Sequence, residues 1–201
     1  MTKVLILYPK AFNCYSKFYR KVERILSSLD SVTIVFPQDS NGLISQIAQQ
    51  LPMIVGSIEN PSWSEEDITH GIVFDDGEEF GEEVSKLKTI RIPLRVIHID
   101  ITRVINVKKE PSYQKQGDTE VYQYIGRGSY WGNPYSMFDG HGDRDEVIRK
   151  FKYDFDFDKF PNIDKAKVYD LAGKRLGCFC KPEACHGDVL ADFLNAWDDG
   201  K

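Results

Sequence analysis

The chain has 201 residues, enough for one large domain or for two small ones of about 100 residues that each bury a core. An apolar fraction of 41% and a charged fraction of 28% are those of a soluble globular protein. A net charge of -5 excludes a chain drawn as a whole to nucleic acid or an anionic membrane, and no apolar run approaches the roughly 20 residues of a membrane span.

The opening "MTKVLILYPKAF" is too short in its apolar core for a signal peptide and lacks a small-residue cleavage site. It predicts a first strand, Lys3–Tyr8, and a reducing cytoplasm as the compartment. There, clustered cysteines serve as metal ligands or redox groups more often than as disulfides. Phe18, Val22, Ile25, Leu26 and Leu29 follow at helical spacing, with Lys17, Arg20, Lys21 and Glu23 largely on the wet side. Val32–Phe36 reads as the second strand, and Leu43, Ile44, Ile47 and Leu51 mark a short helix. "MIVG" is a third strand and Gly71–Phe74 a fourth. An acidic helix runs from about Glu79 to Leu87, and Pro93–Ile99 is a last strand. This alternation predicts a parallel sheet with helices on its faces, with ligands outside the carboxyl ends of the strands.

The pattern changes near residue 100. Arg103–Val107 is a strand, "KKEPSYQKQGDTE" a polar loop, and Val121–Gly126 another strand. "RGSYWGNPYSMFDGHGDRD" is rich in glycine and must be a loop, unusually aromatic for one. Asp143 caps a helix carrying Val147, Ile148 and Phe151. "KYDFDFDKFPNID" reads as an irregular connection. "KAKVYDLAGKRL" reads as a helix ended by Gly173, then a strand through Cys180. A final helix starts at His186 or Gly187 and buries Val189, Leu190, Phe193 and Leu194. The expected architecture is α/β: a Rossmann-like parallel sheet flanked by helices over residues 1–100, then a smaller α+β domain over residues 101–201.

Three of the four cysteines fall in "GCFCKPEACHGDVLADFL". On a strand, Cys178 and Cys180 face one way, and "KPEA" is short enough to return Cys185 and His186 to them. Three sulfurs and an imidazole suit tetrahedral zinc. Cys185 and His186 at a helix N-terminus would instead form a reactive or anion-binding centre, with Asp188 orienting the imidazole. Buried cysteines also pack as small hydrophobes. All three readings stay open. Cys14 has no partner in sequence and is taken as structural.

In "YIGRGSYWGNPY", Gly126-Arg127-Gly128 offers bare backbone amides and a guanidinium fork for an anion. Trp131 could stack on a base, and Asn133 supplies a donor and an acceptor. His141 is a candidate acid or base near neutral pH, and Arg144 a partner for a phosphate or a carboxylate. The bland alternative is a packed structural loop. Asp75 and Asp76 form a weak candidate for a divalent cation. The acidic runs "DDGEEFGEE" and "DFDFD" read as solvated faces.

Four blocks, "VINVKK", "YIGRGSYWGNPY", "GDRDEVIRKF" and "LAGKRLGCFCKPEACHGDVLADFL", give the second half a specific resemblance to the bacterial and phage domain of unknown function 4326, over roughly residues 103–197. The first half, through "KVLILYPKAFNCYSKFYRKVERIL" and "ITHGIVFDDGEEFGEEVSKL…IPLRVIHI", resembles the SLOG superfamily and its YspA-like members. That resemblance implies a Rossmann-like domain for nucleotides or nucleotide-derived ligands. Where such proteins carry a glycine-rich turn, this chain reads "FPQDSNGL". Gly77 and Gly81 persist in the later turn, but among Glu78, Glu79, Glu82 and Glu83, which argues for a degenerate, structural copy.

The function expected is binding, and hydrolysis at a glycosidic or phosphoester bond, of a small nucleotide-derived ligand in the second half. Arg127, Gly128, Trp131, Asn133, His141 and Arg144 would position it, and Cys185, His186 and Asp188 would act on it. The first alternative is sequestration of a nucleotide signal without turnover, as in phage counter-defence within the host cytoplasm. The second is a zinc-stabilised nucleic-acid module with Lys108, Lys109 and Arg127 as a local patch, against which the net charge argues. Homo-oligomers remain open.

Overall fold

The structure is a computed structural model that describes residues 2–114 and 118–201. The chain divides into two compact units, Met1–Ile99 with Ala196–Lys201, and Asp100–Asn195. The last six residues, expected with the second half, thus belong to the first unit.

The first unit alternates β1 (Thr2–Leu7), α1 (Tyr15–Leu26), β2 (Val32–Phe36), α2 (Leu43–Ala48), β3 (Ile54–Glu59), β4 (His70–Asp75), α3 (Gly81–Thr89) and β5 (Leu94–His98). All strands pair in parallel, in the order β3-β2-β1-β4-β5. Chain order reverses between β1 and β4, which makes their carboxyl ends the switch point of the sheet. The apolar runs of β1 and β2 are buried on both faces, as a covered parallel sheet requires. Phe18 of α1 stacks on Phe74 of β4, with ring centres 5.1 Å apart, and fixes that helix on the sheet.

The tail closes on α1. Arg20 donates twice to Asp198, at 2.7 and 3.0 Å, and Lys17 donates to both oxygens of Asp199 at 3.0 Å. Lys17 is buried, so Asp199 supplies the countercharge that a desolvated ammonium needs.

The second unit holds β6 (Arg103–Asn106), α4 (Pro111–Gln114), β7 (Tyr122–Tyr124), α5 (Arg144–Asp156), a 3-10 segment Lys165–Leu171, β8 (Arg175–Cys178) and α6 (His186–Asn195). Its three strands are also parallel, in the order β6-β8-β7, which places β8 at the centre. The core gathers Ile125, Trp131, Phe151, Phe155, Leu176 and Leu190 among others.

Several local expectations change. "KYDFDFD" is not irregular: α5 continues to Asp156 because Val147, Phe151 and Phe155 repeat every fourth residue and bury one stripe. The left-handed Asp158, φ 52°, follows just beyond the helix end. The segment before Gly173 is a 3-10 helix, and Gly173 itself is left-handed at φ 73°. β8 stops at Cys178, two residues short of the expected strand end. The polar stretch after β6 contains the turn α4, where Tyr113 stacks on Tyr122. Residues 115–117 of that stretch lie outside the described residues.

Candidate functional site

A pocket of about 350 Å³ opens within the second unit. Three chain segments build it. The loop after β7 supplies Arg127, Asn133, Met137 and Phe138. The first turns of α5 supply Arg144, Val147 and Ile148. The end of β8 and its turn supply Cys178, Phe179, Cys180, Ala184, Cys185 and His186.

The turn after β8 is held in place by Asn106 at the end of β6. Its amide nitrogen donates to the carbonyl of Phe179 at 3.2 Å and to that of Lys181. Glu183 N–H closes the turn on the Cys180 carbonyl at 3.0 Å. Beyond a cis Lys181–Pro182 peptide the chain reaches Cys185 at the start of α6. Cys178 and Cys180 meet because of this turn and not because of a strand pleat: their sulfurs lie 3.4 Å apart. The three sulfurs of Cys178, Cys180 and Cys185 all lie within 4.8 Å of one another, and all four cysteines of the chain are free thiols.

Their protons are unequally held. The thiol of Cys180 is pulled far down by hydrogen bonds from Cys178 and Cys185, against a desolvation penalty, and the adjacent Arg144 guanidinium pulls it further. Cys185 is pushed up, because its proton bridges to Cys178 and Cys180 and its side chain is buried. Cys178 is also raised, first through its bond to Cys180. Cys180 is therefore the sulfur of the group that holds its proton most weakly, with the Arg144 guanidinium beside it.

His186 does not join the sulfurs, contrary to the four-ligand expectation. Its ring turns into the core, where Nε2 lies 2.9 Å from the Ile125 carbonyl oxygen and the ring meets the edge of Phe151. Burial pushes its pKa down, opposed by backbone hydrogen bonds at Ile125 and Trp131. Asp188 does not orient it either. One Asp188 oxygen accepts from the Cys185 amide at 2.9 Å, and the other pairs with Lys181 at 2.6 Å. The expected trio of Cys185, His186 and Asp188 thus resolves into a buried thiol of the sulfur cluster, a core imidazole and a helix cap.

The aromatic loop is divided as well. Trp131, expected to stack on a base, is only 4% exposed and belongs to the core. Asn133 is engaged in the loop, donating to the Val147 carbonyl at 3.1 Å and accepting from the Tyr135 amide at 2.9 Å. His141 accepts from the Ser136 amide through Nδ1 at 3.0 Å and sits edge-on to Tyr135, which makes it a loop brace. Gly128 adopts φ 82°, a turn conformation that suits glycine. Arg127 and Arg144 do face the pocket. Arg127 donates to the buried Ser136 hydroxyl at 2.8 Å, and Arg144 to the Ala184 carbonyl at 3.1 Å, so both guanidinium planes are oriented before any ligand arrives.

Sequence reasoning missed Tyr135, Ser136, Met137, Phe138, Val147, Ile148, Phe179 and Ala184 as pocket residues. Tyr135 and Phe138 carried a signal as aromatic residues of a glycine-rich loop, and Phe179 as a large apolar residue between two cysteines in sequence; Phe138 and Phe179 are exposed.

In the first unit, carboxylates of the loops after β2 and β4 accept hydrogen bonds from nearby backbone amides. Asp39 accepts from the Tyr8 hydroxyl at 2.5 Å, from the amides of Ile44 and Ser45 at 3.0 and 2.8 Å, and from the Ser45 hydroxyl at 2.7 Å. Asp75 accepts from the Gly77 amide, and Asp76 from the amides of Glu78 and Glu79. Backbone donors of the type that cradle a phosphate already hold anions there. Asp75 and Asp76, considered for a divalent cation, cap the turn after β4.

No helix among the described residues is long and apolar enough to cross a membrane. Residues 1–105 match the family model of the minimal SLOG domain, and residues 105–196 match that of the domain of unknown function 4326. A protein of Enterobacteria phage T4, described as an uncharacterized 12.4 kDa protein in the nrdA-td intergenic region, is 40% identical over 96 residues, which cover 47% of this chain and 79% of that protein. No solved structure matches. The parallel sheet, the two matched segments and the phage relative make one assignment: the chain belongs to the minimal SLOG domain family, with a domain of unknown function 4326 joined to it.

Proposed function

We propose that the protein binds a small nucleotide-derived ligand in the pocket of its second unit and holds it without turnover. One observation carries this reading: two pre-oriented guanidinium groups, Arg127 and Arg144, line the same pocket as the apolar side chains of Met137, Phe138, Val147, Ile148 and Phe179. A volume of about 350 Å³ is within the range of small-molecule sites. Arginine grips a phosphate in two directions, and the exposed rings of Phe138 and Phe179 offer faces for a base. The SLOG match supports the nucleotide class for the chain, although its residues, 1–105, lie outside this pocket. Sequestration fits a site whose imidazole is turned into the core and whose one carboxylate candidate caps a helix.

Calorimetric titration of the purified chain with nucleoside mono- and diphosphates and with ADP-ribose tests this. Binding of at least one, weakened about 10- to 100-fold by Arg144→Ala or Arg127→Ala, is the expected result, since a charge-assisted hydrogen bond contributes about 1.5–3 kcal/mol. The ligand should be recovered unaltered by chromatography. Chemical conversion of the bound nucleotide refutes sequestration, and failure of every nucleotide to bind refutes the reading itself.

A further inference from the structure

The cysteine cluster asks for a cation. Zinc binds thiolates at about 2.3 Å, which sets neighbouring sulfurs of a tetrahedral site about 3.8 Å apart. Here three sulfurs lie within 4.8 Å of one another before any metal is added. Each comes from a position fixed by the fold: Cys178 from the end of the central strand, Cys180 from a turn held by Asn106, and Cys185 from the start of α6. Cys178 and Cys185 are 4% and 2% exposed, so two of the three sulfurs are shielded from bulk water.

The surroundings are those of a thiolate site. The Gly187 amide donates to the Cys185 sulfur at 3.3 Å, as first-turn amides do for bound thiolates. An added Cβ at Gly187 would lie 2.5 Å from Ile125 Cδ1, so the helix start packs closely on that side chain. Asp188 holds the Cys185 amide from the other side, at 2.9 Å. Arg144 stands against Cys180 and is anchored on the Ala184 carbonyl. Charge then balances: three thiolates and a dication leave one negative charge, which Arg144 offsets.

We propose that Cys178, Cys180 and Cys185 bind one soft divalent cation, zinc by its chemistry, through three thiolates, and that the fourth position opens on the pocket. All three cysteines line that pocket. The nearby imidazole is bound to the Ile125 carbonyl and not to the sulfurs, so no protein ligand among the described residues completes the tetrahedron. Three protein ligands with one exchangeable site is the arrangement of zinc centres that accept a ligand, and four is that of purely structural ones. The metal would sit beside Arg127 and Arg144, where a donor atom of the pocket's ligand could complete its coordination. Metal binding stands independently of nucleotide binding, and each is read by a separate measurement.

The test uses the full chain purified under reducing conditions. Elemental analysis should find one zinc ion per chain, retained in Cys14→Ser and lost to a chelating dye in Cys180→Ser and Cys185→Ser. Arg144→Ala, which removes no ligand, should weaken retention about 10- to 100-fold. Because a cysteine variant can fail to fold, the wild-type chain is also loaded with cobalt(II). Strong thiolate-to-cobalt charge transfer and visible bands of four-coordinate intensity are expected, and imidazole should shift the visible bands by entering the open position. A wild-type chain that takes up neither zinc nor cobalt overturns the site. A cobalt spectrum that imidazole leaves unchanged overturns the open position.

Discussion

Asp39 offers the most direct test of the first unit. Its carboxylate gathers four hydrogen bonds, from Tyr8, from the Ile44 and Ser45 amides and from the Ser45 hydroxyl. Asp39→Ala removes the cap of α2, which costs about 1 kcal/mol. It also takes from the buried Tyr8 hydroxyl its acceptor. That charge-assisted bond is worth about 1.5–3 kcal/mol when fully desolvated and less here, at a half-buried site. The total is about 2 kcal/mol. With a urea dependence of about 2 kcal/mol per M, the unfolding midpoint of this unit should fall by about 1 M. Asp39→Asn keeps one oxygen acceptor and should cost about half as much. Burial alone would raise the carboxyl's pKa, but the bonds from Tyr8, Ser45 and Ile44 outweigh it and hold the group below its usual value. The sign follows: a depressed folded pKa contributes stability present above about pH 3.9 and lost as pH falls through the folded value. The gap between wild type and Asp39→Ala in urea, followed by circular dichroism, should be full at pH 7 and narrow below about pH 4. A gap under about 0.5 kcal/mol at pH 7, or one that persists undiminished in acid, refutes the assignment of Asp39 as the internal anion of this loop.

His186→Ala should destabilise the second unit by about 3 kcal/mol, since it empties space beside Phe151 and leaves the buried Ile125 carbonyl without its partner; urea unfolding that matches wild type contradicts a core role. Gly132→Ala should disrupt the aromatic loop, because its Cβ would stand 2.7 Å from the Gly126 carbonyl oxygen, which is backbone and cannot step aside. Proteolysis within residues 126–144 should quicken several-fold, and an unchanged digest counts against this packing. Asp199→Ala strands the buried Lys17 ammonium and should cost the first unit about 3 kcal/mol, whereas Asp198→Ala, whose Arg20 partner is partly exposed, should cost about 1 kcal/mol or less. Equal losses from the two variants would show that burial of Lys17 does not govern the tail.

Much of this architecture was legible in the residues. Apolar runs such as "VLIL" and "VTIVF" are short and carry β-branched residues, which favours covered strands, and the stripe of α1 has one wet face, so the alternating sheet followed from local pattern. The boundary of α5 was less legible, because "DFDFD" alternates like a strand while Phe151 and Phe155 repeat like a helix, and only packing against Phe160 and Phe193 favours the second period. The candidate site was legible as a set of residue types. "CFCKPEACH" marks thiols and an imidazole whatever the fold. Which of them meet was decided in three dimensions. A turn pinned by Asn106, far away in sequence, brings Cys180 onto Cys178, and the Ile125 carbonyl draws His186 out of the group. Trp131 and Asn133 have the chemistry of ligand contacts, but the core claims the ring and two backbone groups claim the amide. Sequence spacing sets which groups a segment carries, because side-chain chemistry and backbone periodicity are local. Long-range hydrogen bonds and burial decide which of those groups remain available to a ligand, because each polar atom taken from water must first find a partner within the fold.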